Sequence, residues 1–122
     1  MRKDDPLAWG DEFSVSDLYE LPLICSRQWL DQDFPHWFGD KSNEINIVAT
    51  FNLAYNASVM VKSGMGYAVS YDKLTDTSDG SDLTFRKLSG VPESKMYLIW
   101  RKYQTFTPVA KMLLKRLQSE FS

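Results

Sequence analysis
The chain has 122 residues, 43% of them hydrophobic and 14% aromatic, with a formal net charge of −2. That apolar content excludes a disordered chain, and no uninterrupted apolar run nears the roughly 18 residues that a membrane span needs. The slightly acidic balance argues against a nucleic-acid surface, which requires clustered Lys and Arg to neutralise phosphates.

A length of 122 residues predicts one domain or a subdomain with a core of its own. A single cysteine, Cys25, rules out an internal disulfide and fits a reducing cytoplasm. Charged residues 2–5 precede no apolar stretch, so a signal peptide is not expected and a cytoplasmic location is.

In chain order, residues 1–13 read as an extended lead-in, with Pro6 and Gly10 disfavouring regular structure. Ser16 is placed to cap a short helical turn through Glu20, and Asp17 suits the positive end of its dipole. Residues 22–25 form a short apolar strand, followed by a helix over 27–38 with Pro35 disturbing its end. Ile45, Ile47 and Val48 predict a strand over 45–49 that ends at Thr50, whose hydroxyl is placed to cap a helix over about 51–63. Leu53, Ala57, Met60 and Val61 recur at helical spacing, and Gly64 supplies the left-handed residue that stops that helix.

Residues 67–70 resume an apolar strand, 76–82 make a polar loop and 83–87 a further short strand. Gly90 to Ser94, containing Pro92, is the linker, dividing 1–90 from a segment 91–122. Within that segment, 96–103 alternates as a strand. Thr107 and Pro108 supply a cap and a first-turn proline for a last helix, 109–121, with Ala110, Leu113, Leu114, Leu117 and Phe121 as its buried stripe. The β-α-β-α-β order implies an α/β fold with a mainly parallel sheet.

The run from Ile45 to Leu74, with Val48-Ala49-Thr50, Tyr55 to Val61 and Gly64-Met65-Gly66-Tyr67-Ala68, resembles the effector-binding domain of LysR-type transcriptional regulators. Asp5 to Ala8, Leu21 to Gln28 and Trp37-Phe38-Gly39 resemble the approach to the same domain. Phe85 to Leu88, Leu98 to Lys102 and the last helix resemble its end. The resemblance implies an incomplete Rossmann-like, three-layer subdomain of the two-lobed type II periplasmic-binding-protein-like fold. It also implies a small-molecule effector held between lobes, and DNA contact made only through a separate winged helix-turn-helix domain that this chain lacks. With most of its usual neighbours absent, the strand at 96–103 and the last helix are expected to drive homodimer formation or exchange between copies.

In open α/β sheets ligands lie beyond the carboxyl ends of the strands, where helix N-termini offer free donors. The strand ends at Ser26-Arg27 and at Thr50-Phe51-Asn52 therefore carry the candidate effector site. Thr50 is placed to donate its hydroxyl, with the amides of Phe51, Asn52 and Leu53 facing the same point. Ser26 adds a second hydroxyl and Arg27 a counter-charge for a carboxylate. The family resemblance supports Thr50 most strongly, and Tyr71 is a weaker candidate. Thr50 and Ser26 can equally be helix caps alone, and Phe51 can pack inward.

Other chemistry is thinly represented. His36, between Pro35 and Trp37, reads as a partly buried packing residue, and Cys25 as a small hydrophobe within its strand. Asp31, Asp33 and Asp40 read as a solvated face. The Asp76 to Asp82 stretch lacks the glycine position and bidentate Glu of a calcium loop and reads as a turn. No nucleophile–base pair, metal set, cofactor motif or catalytic residue emerges. The expected function is ligand sensing rather than catalysis, with a periplasmic-type solute-binding fragment or a ligand-free dimerisation module as the alternatives.

Overall fold
The computed structural model describes residues 1–94 and 97–121 and divides into two compact units, Met1–Pro92 and Glu93–Ser122. The first unit is built on β2 (Leu23–Ser26), with β1 (Glu12–Ser14) preceding it in the chain. Leu23, Ile24 and Cys25 have no solvent exposure, because β2 lies between two parallel neighbours, β3 (Ile47–Phe51) and β4 (Tyr67–Ala68). Successive residues of a strand point to opposite faces, so this three-residue apolar run feeds two cores. Leu23 and Cys25 pack with Leu18, Phe34 and Phe38. Ile24 packs with Ala57, Val61 and Leu83. The helical elements α1 (Phe34–Phe38) and α2 (Ala54–Lys62) thus cover opposite faces of the sheet.

Strand β3 begins and ends two residues later than expected. Pairing opens where the Leu23 N–H donates to the Asn46 carbonyl at 2.8 Å, and it continues until Ser26 has taken Phe51 as its partner. The register slips between Leu23 and Ile24, which puts Ile47 with the Phe34 cluster but Ala49 and Phe51 with the Ala57 cluster. A regular strand would have kept Ile47 and Ala49 on one face. With Thr50 and Phe51 drawn into the sheet, α2 starts only at Ala54, after Leu53 and without a side-chain cap. Thr50 is therefore not the helix cap expected from the sequence.

The helix after β2 covers 27–38, and Pro35 acts upstream of itself. Having no N–H, it cannot bond the Asp31 carbonyl, and the preceding turn widens into a π-helix, Trp29–Asp33, closed by the Phe34 N–H on the Trp29 carbonyl. Helix α2 stops as expected: Gly64 has φ +85°, and the Met65 N–H reaches the Met60 carbonyl at 3.1 Å. Gly66 is required for a different reason, since a Cβ there would stand 2.4 Å from the Pro22 carbonyl oxygen. That close approach lets the Tyr67 N–H donate to Pro22 at 2.9 Å and begin β4.

Residues 1–13 are more ordered than an extended lead-in. Asp5 accepts the Leu7 N–H at 2.9 Å and starts a 3-10 turn, Pro6–Trp9. Strand β1 pairs in parallel with β5 (Lys87–Ser89), which replaces the strand expected over 83–87; Leu83 makes only an isolated bridge with Arg2. Arg86 ties this arrangement together. Its guanidinium donates to the Ala8 carbonyl at 2.6 Å, the Gly10 carbonyl at 2.8 Å and the Thr84 hydroxyl at 2.7 Å. The turn at Val15–Glu20 takes its stabilisation from the Ser14 N–H on the Asp17 carboxylate at 2.8 Å, while Ser16 lies inside it rather than capping it.

In the second unit, α3 (Pro108–Phe121) follows a cap from Thr107, whose hydroxyl accepts the Ala110 N–H at 3.2 Å. None of its residues is buried, contrary to the expected stripe: Leu113 is 59% and Phe121 82% exposed. The strand expected over 96–103 is not seen at its described residues, 97–103. Met96 lies outside the described residues, and 97–103 has no strand partner among them, without which β geometry has nothing to satisfy its backbone.

Candidate functional site
The carboxyl ends of β2, β3 and β4 form one edge of the three-stranded parallel sheet. Ser26 and Phe51 are register partners there, and Thr50 stands beside Cys25. Pleating alternates side chains, so Thr50 emerges on the Cys25 side and Ser26 on the other. The two hydroxyls expected to act together are thus neighbours across the edge rather than a pair on one face.

Each candidate has a definite local role. The Ser26 Oγ accepts the Trp29 N–H at 3.2 Å, capping the helix that follows β2. That bond uses the oxygen and leaves the hydroxyl proton without a protein acceptor among the described residues. Thr50 is exposed because β3 is an edge strand, and its hydroxyl makes no hydrogen bond among the described residues. Phe51 is half-buried against the Ile24, Ala57 and Val61 cluster, so it packs inward. Asn52 and Arg27 are exposed, and Arg27 has no ion-pair partner among the described residues. The amide of Phe51 belongs to the strand rather than to a helix start, and Leu53 is 65% exposed in the turn before α2.

Aromatic residues gather beside this edge. The rings of Trp29 and Tyr71 meet edge-to-face at 5.0 Å, and Trp29 meets Trp37 at 5.5 Å. Trp37 in turn lies 5.2 Å from Phe34, which is in the core. Sequence alone does not single out Trp29. Its signal was an aromatic residue one helical turn beyond Ser26, on the first turn after the strand.

The remaining reactive groups are structural. Cys25 is fully buried, and that burial pushes its thiol up to about 11, leaving it an apolar core residue rather than a nucleophile. Burial first, and the hydrogen bond to Asp5 second, push the Tyr67 phenol up to about 12. His36 is exposed, not half-buried, because it sits on the outer side of the short α1 while Phe34 and Phe38 turn inward. Asp76 accepts both the N–H and the hydroxyl of Ser78, closing a turn, and those bonds hold its carboxyl below the usual range. Among the described residues no group of three or more His, Cys, Asp or Glu is assembled that could hold a metal ion.

A small pocket on the α2 side is lined by Ser58, Ser70, Tyr71, Lys73 and Thr84, among others. At about 40 Å³ it has room for water rather than for an organic effector.

Among the described residues no helix is long and apolar enough to cross a membrane. Comparison with curated proteins and with solved structures gave no match. The model of one family, the LysR substrate binding domain, matches residues 1–122, and that family implies a regulatory, effector-binding role on a periplasmic-binding-protein-like α/β fold. A parallel sheet covered on both faces, with hydroxyl, amide and guanidinium groups at its open carboxyl edge, agrees with that match over the whole chain, and the protein belongs to the LysR substrate-binding domain family.

Proposed function
We propose that this chain is the ligand-sensing portion of a LysR-type transcriptional regulator and binds a small, anionic effector at the carboxyl edge of the sheet. The observation that carries the reading is the family match across residues 1–122. The edge supplies suitable chemistry: the Thr50 hydroxyl, the Ser26 hydroxyl proton, the Asn52 amide and the Arg27 guanidinium are open to solvent or have unused donors. Arg27 supplies the charge that selects an anion.

In this reading the first unit is a Rossmann-like, three-layer lobe of a two-lobed receptor. An effector held against it shifts the balance between two arrangements of lobes only by as much as its affinity for them differs. DNA contact falls to a separate winged helix-turn-helix domain, consistent with a chain whose net charge is −2. The reading places the chain in the cytoplasm. It also makes the chain a homodimer, supported by the exposed apolar residues Val109, Met112, Leu113 and Phe121 of α3.

A thermal-shift screen of the chain against small carboxylates, amino acids and sugars, run beside Thr50→Ala, tests the reading. A ligand at 100 times its dissociation constant adds about 2.7 kcal/mol of stability. A carboxylate-induced shift that shrinks in Thr50→Ala is the expected result, and no shift with any compound would overturn it. Sedimentation across a concentration series tests the dimer, which a concentration-independent monomer would exclude.

A further inference from the structure
Resting on the effector reading above, we propose that Trp29 and Tyr71 form an aromatic wall of that site, selecting an effector whose carboxylate is carried by a planar aromatic ring. The rings form a graded series, from Phe34 in the core through half-buried Trp37 and Trp29 to Tyr71, which is 49% exposed. Core packing accounts for the inner members. It does not account for the outermost pair, which carries two donors, the Tyr71 hydroxyl and the Trp29 indole N–H, without a protein acceptor among the described residues.

Position adds the second argument. Ile24 pairs with Ala68, and the Val69 N–H still reaches the Ile24 carbonyl at 2.9 Å, two residues before Tyr71. Trp29 is joined to Ser26 by its own backbone N–H. The wall therefore stands at the first turn after β2, on the face that Cys25 and Thr50 share, and starts one helical turn beyond Ser26. A ligand ring completing an edge-to-face contact with Trp29 or Tyr71 gains what a third ring adds to such a pair, roughly threefold to tenfold in affinity. A saturated ring of the same size fills the same space without the quadrupole.

The test is calorimetric titration of the chain with benzoate, cyclohexanecarboxylate and succinate, repeated on Tyr71→Leu and Tyr71→Phe. Benzoate is expected to bind at least threefold more tightly than cyclohexanecarboxylate. That preference should vanish in Tyr71→Leu, persist in Tyr71→Phe, and be absent from Thr50→Ala's effect, which weakens both ligands alike. Equal binding of the two ring acids, or a preference that survives Tyr71→Leu, overturns the wall while leaving the effector site standing. Should none of the three acids bind and the wider screen also be silent, the effector reading fails and the wall fails with it. Because Tyr71→Phe keeps the ring, its retained preference separates recognition from a folding defect in Tyr71→Leu.

Discussion

The two units of this chain share a similar apolar vocabulary and put it to opposite use. In the first, nine buried hydrophobic residues among those described form two clusters on either side of β2. In the second, the helix α3 carries Leu113, Leu114, Leu117 and Phe121 at helical spacing and buries none of them. Spacing makes a helix amphipathic, but only an opposing surface makes it part of a core. The first unit has such a surface in its own sheet.

The contrast is sharpest under substitution. Phe34→Ala, at a residue 2% exposed, should cost about 3–5 kcal/mol in urea unfolding and speed labelling of the Cys25 thiol, which is protected in the intact core. An unchanged labelling rate would mean the Phe34 cluster does not hold the first unit together. Gly66→Ala ranks next, at about 1–3 kcal/mol, because the new methyl meets the Pro22 carbonyl and not a movable side chain. Tyr67→Phe should cost about 1 kcal/mol at neutral pH by removing the hydrogen bond to Asp5.

The same tyrosine gives a pH test. Its phenol titrates at about 12 when folded against 10.0 ordinarily, so the unfolded chain ionises first as pH rises. Its contribution is whole below pH 10 and is lost on the way to pH 12. Chemical denaturation across that window should show a steeper decline in the wild type than in Tyr67→Phe, and parallel curves would refute the assignment.

Effects in the second unit should be smaller. Thr107→Ala removes the cap of α3 and should cost the helix about 0.5–1 kcal/mol, seen as lost helical signal by circular dichroism. Leu113→Ser should change the stability of the dilute chain by less than about 0.5 kcal/mol, since Leu113 is already 59% exposed. A larger loss would show that α3 is covered in solution, and a loss that grows with protein concentration would identify a second copy as the cover.

Much of the site's framework was legible in advance, and the particulars show why. The strand at 22–25 announced itself by a continuous apolar run, and the stop of α2 by Gly64, because both are local consequences of side-chain polarity and backbone freedom. Ser26 and Thr50 both lie near strand ends, although Thr50 is drawn inside its strand and caps nothing. Their relation across the edge was not foreseeable, since it depends on a register slip between Leu23 and Ile24 that only pairing creates. Tyr71 follows a strand end and is a candidate on that ground, but its meeting with Trp29 joins residues 42 apart in the sequence and has no local signature.

By itself the sequence determined the α/β class of the fold, the order of elements from β2 to β4, the cap of the last helix and its approximate extent, and the family resemblance that the match over residues 1–122 supports. Tertiary structure decided where β3 ends, which hydroxyl caps a helix, which strand joins β1, and which apolar faces find cover. The division has one physical cause. Capping, turns and periodicity act over a few residues, whereas a strand's limits and a residue's burial are set by partners that the chain brings together from far away.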